Sequence, residues 1–222
     1  MKKFVVLFLS LSIVLCSFSA CKTASILDGK VSELRSALYE GSGQTLSLKA
    51  AYGFRETPYE NDGKVGNLAH TLTFKLLDKE TSDVTFTLCF THDGVDYKSN
   101  FKLNPATHSV TAVFEIENFD ATEFTVQVST ANTSESVTLK SIVPEGTMDY
   151  KSALSHLESK QSGLIKNFLD SEGNFNAEIY ARIVVKDSRA FWYIGIASGN
   201  EQLKALLIDG ANGEILAIRE IF

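Results

Sequence analysis

The chain has 222 residues, 44% of them hydrophobic and 22% charged, with 27 acidic against 21 basic residues and a formal net charge of −6. That balance suits a folded chain with enough apolar residues for one large core or two small ones, and its acidity argues against nucleic acid as a partner.

At the N-terminus, Lys2 and Lys3 precede an apolar run from Phe4 to Cys16 and a short stretch of mostly small residues, Ser17 to Ala20. This is the plan of a secretory signal, and the apolar run is too short to span a bilayer. The signal ends at Phe18-Ser19-Ala20-Cys21, with polar residues following at once. These four residues resemble the bacterial lipobox, which implies that residues 1–20 are removed and that Cys21 is lipidated and becomes the first mature residue. Phe18 stands where leucine is usual, and Ser17 and Ser19 leave ordinary cleavage after Ser19 open. Two or more acyl chains on one cysteine anchor stably, since each buried methylene contributes ~0.8 kcal/mol. The expected location is therefore extracytoplasmic, on a bacterial membrane. With Cys16 removed and Cys21 acylated, Cys89 stands alone. The mature chain then has no intramolecular disulfide and holds by its cores.

Leu27, Val31, Leu34 and Leu38 recur at spacings of three and four, with Ser25 and Asp28 placed as a capping box. The spacing predicts a short helix within residues 21–43, ended by Gly41-Ser42-Gly43. Between residues 44 and 144 the period changes to two. Leu46/Leu48, His70/Leu72/Phe74/Leu76, Val84/Phe86/Leu88/Phe90, Val95/Tyr97, Val110/Ala112/Phe114/Ile116, Phe124/Val126/Val128 and Val137/Leu139 alternate in short runs. Seven strands with one apolar face predict an antiparallel β-sandwich of immunoglobulin or fibronectin type, with a tight hairpin at Asp93-Gly94.

A boundary is expected near Ile142-Val143-Pro144-Glu145-Gly146, where alternation stops. Thr147 or Asp149 then caps a predicted helix carrying Leu154, Leu157, Leu164, Ile165 and Phe168, which ends by Asp170. Strands follow at Phe175 to Val185, Ala190 to Ala197, Leu203 to Ile208 and Glu214 to Ile221. Residues 178 to 220 resemble a PepSY-type domain, in which an antiparallel meander closes on an Asp-x-x-x-Gly-Glu-hydrophobic-hydrophobic hairpin. Here those positions are Asp209, Gly213, Glu214, Ile215 and Leu216, with Asn212 where the family often has threonine. The resemblance covers about a third of the mature chain and implies an α+β module, residues 145–222, with an extracytoplasmic binding or regulatory role and no catalysis. The fold class expected for the whole is thus α+β, a sandwich followed by a small helix-plus-meander domain.

Chemistry-bearing patterns are sparse. His70, His92, His108 and His156 show no zinc-ligand spacing, Cys89 has no histidine paired with it in a motif, and no nucleophile elbow, Walker loop or dinucleotide fingerprint is present. Neither a metal nor a cofactor is expected. Two aromatic stretches are candidate binding residues. Tyr52 to Asn67 is long for a hairpin connection and carries Tyr52, Phe54, Arg55 and Tyr59, residue types favoured at interfaces, although the same aromatics could pack down on the sandwich. The run Phe191, Trp192 and Tyr193 makes both faces of one strand apolar. One face should meet the helix, and the other must be covered by the sandwich, a second chain or a ligand.

The functional expectation is an anchored, non-catalytic protein- or peptide-binding module, with membrane contact through lipid on Cys21. Its narrower form, restraint of a secreted peptidase, comes from the resemblance alone. The other expectation is a structural envelope component that associates with its own copies.

Overall fold

The computed structural model describes residues 25–60, 62–77, 84–104, 108–199 and 203–221. In chain order it contains β1 (Val31–Ser42), β2 (Ser47–Glu56), β3 (Leu68–Leu77), β4 (Thr87–His92), β5 (Val95–Asn100), β6 (Lys102–Asn104), β7 (Ser109–Glu115), β8 (Glu123–Ser129) and β9 (Ser134–Ser141). Then come α1 (Tyr150–Lys160), α2 (Ser162–Lys166), β10 (Glu178–Lys186), β11 (Arg189–Ala197), β12 (Leu203–Asp209) and β13 (Ile215–Ile221). Strands account for 56% and helices for 9%, so the class is mostly β rather than α+β.

All the strands belong to one sheet. Its main path runs β13-β12-β11-β10-β1-β2-β3-β7-β6, and β9, β8, β4 and β5 branch from β1. The branch is possible because β1 divides its second edge. Val31 to Arg35 pair in parallel with Ile179 to Arg182 of β10, whereas Tyr39 and Glu40 pair with Ser141 and Lys140 of β9. The sandwich-plus-separate-domain expectation is therefore corrected: strands β1 to β9 form a large, nearly closed barrel-like antiparallel sheet, and the meander β10 to β13 continues that sheet. The expectation failed because it had no strand at 31–42 to link its two halves.

The helix expected through Leu38 is β1 instead. Two irregularities, between Val31 and Glu33 and between Arg35 and Ala37, each insert a residue and reset the alternation. Apolar side chains then fall three and four apart, a spacing that imitates a helix. The second irregularity presses the β1 backbone onto β2, where Gly53 receives it. A Cβ at Gly53 would lie 1.8 Å from the Leu34 carbonyl oxygen, so only glycine permits this approach. β2 also runs on through Glu56, which places Tyr52, Phe54 and Arg55 in a strand and shortens the loop to residues 57–67.

Two clusters fill the interior. The barrel-like part encloses Leu48, Leu72, Phe74, Leu88, Phe90, Phe114, Val137 and Leu139. Its rings meet across the sheet, with Phe74 5.6 Å from Phe90 and Tyr39 5.2 Å from Phe124, so aromatic contact joins strands that share no hydrogen bonds. The second cluster lies between the meander and α1, where Ala153, Leu154 and Leu157 cover Ile179, Ile183, Trp192, Ile194 and Leu206. Leu27, Val31 and Leu34 complete it from the start of the described chain. Fully burying each such leucine or valine contributes roughly 1.5–3 kcal/mol. Asp149 caps α1 by accepting from Ser152 N at 2.7 Å, and the helix breaks at Gln161 before α2.

The last hairpin turns at residues 210–214. Gly213 has φ +71, its N–H bonds the Asp209 carbonyl at 2.9 Å, and Glu214 O accepts from Asp209 N at 2.8 Å. The Asp209 carboxylate accepts from Ala211 N and Arg189 Nη2, two contacts that hold its pKa below the usual value. Gly213 is buried against α1, where a Cβ would come 2.5 Å from the His156 ring.

Candidate functional site

Alternation along β10 divides its side chains cleanly. Ile179, Ala181 and Ile183 enter the helix-covered core, so Glu178, Tyr180 and Arg182 point to the opposite face of the sheet. On β1 that face carries Glu33 and Arg35, on β2 Arg55, and on β11 Tyr193 and Gly195, as their cross-strand partners require. Gly195 and Ala197 are small, and the hollow they leave is a cleft of about 540 Å³ lined also by Ser32, Tyr59 and Leu203.

Glu33 organises the charges. Its two oxygens accept from Arg182 Nε at 3.0 Å and Nη2 at 2.7 Å, a forked pair, and Arg35 Nε lies 3.0 Å from the first of them. Burial alone would raise the Glu33 pKa. The Arg182 hydrogen bonds and the charges of Arg182, Arg35 and Arg55 more than offset it, so the pKa lies below its usual value. One carboxylate therefore faces three guanidinium groups. Arg55 is exposed and forms no ion pair among the described residues.

The opposite wall is phenolic. Loop 57–67 folds over the edge of the meander and sets the Tyr59 hydroxyl 2.5 Å from that of Tyr180. Buried Glu178 holds the loop by accepting from the backbone N–H groups of Asp62 at 3.1 Å and Gly63 at 3.2 Å. At the base of the loop, Glu56 accepts from Gly66 N. Burial pushes the Tyr180 phenol far above its ordinary pKa, reinforced by the Tyr59 hydrogen bond and the Glu178 charge, with Ser32 opposing. Tyr180 is thus a neutral hydrogen-bonding group and no base near neutral pH. Ser32 Oγ is buried beside it without a hydrogen bond of normal geometry.

Of the residues singled out in the sequence, Arg55, Tyr59 and Tyr193 line this cleft. Tyr52 and Phe54 do not. They face the inner side, where Tyr52 donates to the Glu117 carbonyl at 2.7 Å and the Phe54 ring lies 5.4 Å from His70. Trp192 is 1% exposed in the helix-covered core and donates to Met148 O at 2.9 Å, so it is a packing residue. Phe191 shares a face with Tyr193 but lies under the Arg189 guanidinium, 5.2 Å from its ring centroid. Cys21 lies outside the described residues.

Sequence reasoning missed Glu33, Arg35, Tyr180 and Arg182. The last two were within reach, because period-two alternation through residues 178–183 puts them opposite the apolar set. Glu33 and Arg35 were hidden by the helical reading of their segment.

Chemically the cleft offers the Arg55 guanidinium, unpaired among the described residues, beside the Glu33-bridged Arg35 and Arg182, with neutral phenols and ring surface, a set suited to a carboxylate or another planar anion. Among the described residues no group of three histidine, cysteine or acidic side chains is placed to hold a metal ion. Cys89 is a free, partly buried thiol on β4. Comparison with protein-family models, curated proteins and solved structures yields no match to this chain.

Proposed function

We propose that this chain is a non-catalytic binding module, held at an extracytoplasmic membrane face by lipid on Cys21, which captures a protein or peptide through an anionic group. The observation that carries the reading is the convergence of Arg35, Arg55 and Arg182 with Tyr59, Tyr180 and Tyr193 on the sheet face that the helices leave uncovered. Three cations around one carboxylate leave local positive charge on a chain of net charge −6, and a negatively charged partner group would complete the site.

The test is site-specific photo-crosslinking on intact cells from position 59, with position 151, exposed on α1 across the sheet from the cleft, as the control. A partner captured from position 59 alone, and lost in Arg55→Glu, supports the reading; equal capture from both positions overturns it. Cys21→Ser should release the protein from the membrane fraction, and retention would remove the anchor from the proposal.

Self-association is the second reading, and one observation favours it. β13 is the outer strand of the sheet order and exposes Leu216 and Ile218, the kind of edge that pairs with another chain. Crosslinks from position 59 that join only copies of this chain would favour it.

A further inference from the structure

We infer that the cleft continues as a cationic trough across the outer face of the barrel-like sheet, and that its ligand is an acidic peptide segment lying extended across the strands. This rests on the binding reading above and specifies its ligand.

The strand register builds the trough. Arg182 on β10 is the direct neighbour of Arg35 on β1. One row further along, three residues on in β1 because of its irregularity and two on in the other strands, Leu38, Ala51, Thr73 and Val113 lie side by side on the same face. The next row places Lys49 opposite Lys75, Lys75 opposite Thr111 and Thr111 opposite Lys102. The hollow between these rows has a volume of about 480 Å³ and is continuous with the cleft, since Glu33, Arg35 and Arg55 line both. Lys49 pairs with Glu40 at 2.5 Å, whereas Lys75 and Lys102 are exposed and form no ion pair among the described residues.

Two like-charge pairs stand directly across from each other here, Arg35 with Arg182 and Lys49 with Lys75. Glu33 bridges the first pair and Glu40 offsets Lys49 in the second, so the cations of this face without an ion-pair partner among the described residues are Arg55, Lys75 and Lys102. A bound polyanion supplies counter-charge to these three. The floor between the basic rows is small and partly apolar, through Leu38, Ala51 and Val113, which suits a chain whose acidic residues alternate with apolar ones better than a uniformly charged polymer. From β10 to β6 the face crosses six strands, or ~24 Å at ~4.8 Å per spacing, enough for about seven residues of extended peptide at ~3.3 Å each.

Fluorescence anisotropy on the purified mature protein tests this with a labelled peptide of about eight residues alternating glutamate and valine, a length set by the strand spacing. It should bind, weaken as salt rises, and lose at least about tenfold in affinity in the Lys75→Gln/Lys102→Gln double variant, through loss of charge-assisted contacts. That variant should melt like the wild type because both side chains are exposed. Equal affinity for the glutamine–valine peptide overturns the charge recognition. Polygalacturonate or polyphosphate binding as tightly as the acidic peptide overturns the choice of a peptide ligand. Binding unaffected by the double variant but lost in Arg55→Gln overturns the trough while leaving the cleft reading intact, and no binding by any probe overturns the trough proposal, while crosslinking from position 59 still judges the cleft.

Discussion

The barrel-like region and the meander region bury the same face of one sheet by different means. In the first the sheet curls until its own strands meet, and the interior is filled by phenylalanines and tyrosines reaching from opposite sides, such as Phe74, Phe90, Phe114 and Phe124. In the second the sheet stays open, and a helix carrying Ala153, Leu154 and Leu157 covers an isoleucine-rich layer. A curled sheet has only its outer surface to offer a partner. An open sheet covered on one side offers the other side too, and the cleft forms where the two surfaces run into each other at β1 and β10.

The sharpest way to break the comparison is to cut the chain at its expected boundary. Residues 145–222 alone lose Leu27, Val31 and Leu34 and expose the edge of β10 that β1 occupies. The fragment is expected to lack a cooperative thermal transition, whereas a fragment that melts cooperatively would show the helix and meander to be self-sufficient. Next in size, Trp192→Ala and Phe74→Ala each remove a fully buried ring from one core and should cost about 3–5 kcal/mol. If β1 couples the regions, both variants lower the midpoint of a single denaturant transition. Two separate transitions, each moved by one variant, would uncouple them.

Gly213→Val acts on the meander alone. The residue takes φ +71 and a Cβ would strike the His156 ring, so strain of ~1–3 kcal/mol adds to overpacking of similar size. Calorimetry should find a loss of about 3 kcal/mol or more, and an unchanged melt would mean that the turn and α1 do not meet in this way. The smallest effect concerns the junction. The Glu33 pKa is depressed in the folded state, so its contribution is present above the unfolded value near 4.5 and is lost as pH falls through the lower folded value. Glu33→Gln should cost on the order of 1–2 kcal/mol at neutral pH, the scale for charge-assisted hydrogen bonds, with the gap to wild type closing under acid. A gap that stays constant from neutral to acidic pH would show that charge pairing with Arg182 and Arg35 is not its source.

Much of the strand framework was legible. Alternation marks β3, β5, β7, β8 and β9 within a few residues, and it marks β10 to β13 together with the Asp209 to Glu214 turn. Apolar period two survives wherever a strand keeps an uninterrupted ladder. It fails in β1, where the two irregularities convert the period into one typical of helices, and in β6, which is short and wholly exposed. Losing β1 cost more than one element, because among the described strands β1 alone pairs with three others: β2, β9 and β10. Without it the first nine strands look like two stacked layers and the meander looks detached. The site suffered for the same reason. Arg55, Tyr59 and Tyr193 stand out by residue type, but only the register of β1 against β2 and β10 brings Arg35 and Glu33 to them.

The pairing of Val31 with Ile179 has a consequence for how the chain reaches its native state. The two partners are about 150 residues apart, and contacts of such separation close late because the loop entropy must be met before they form. β1, the first of the described strands to be synthesised, must therefore wait, with part of one edge unsatisfied, until β10 has followed. During that interval the exposed edge of β1 can pair with another nascent chain. Yield of folded protein should accordingly depend on the speed of synthesis and on holdase supply more than on the stability of either finished core.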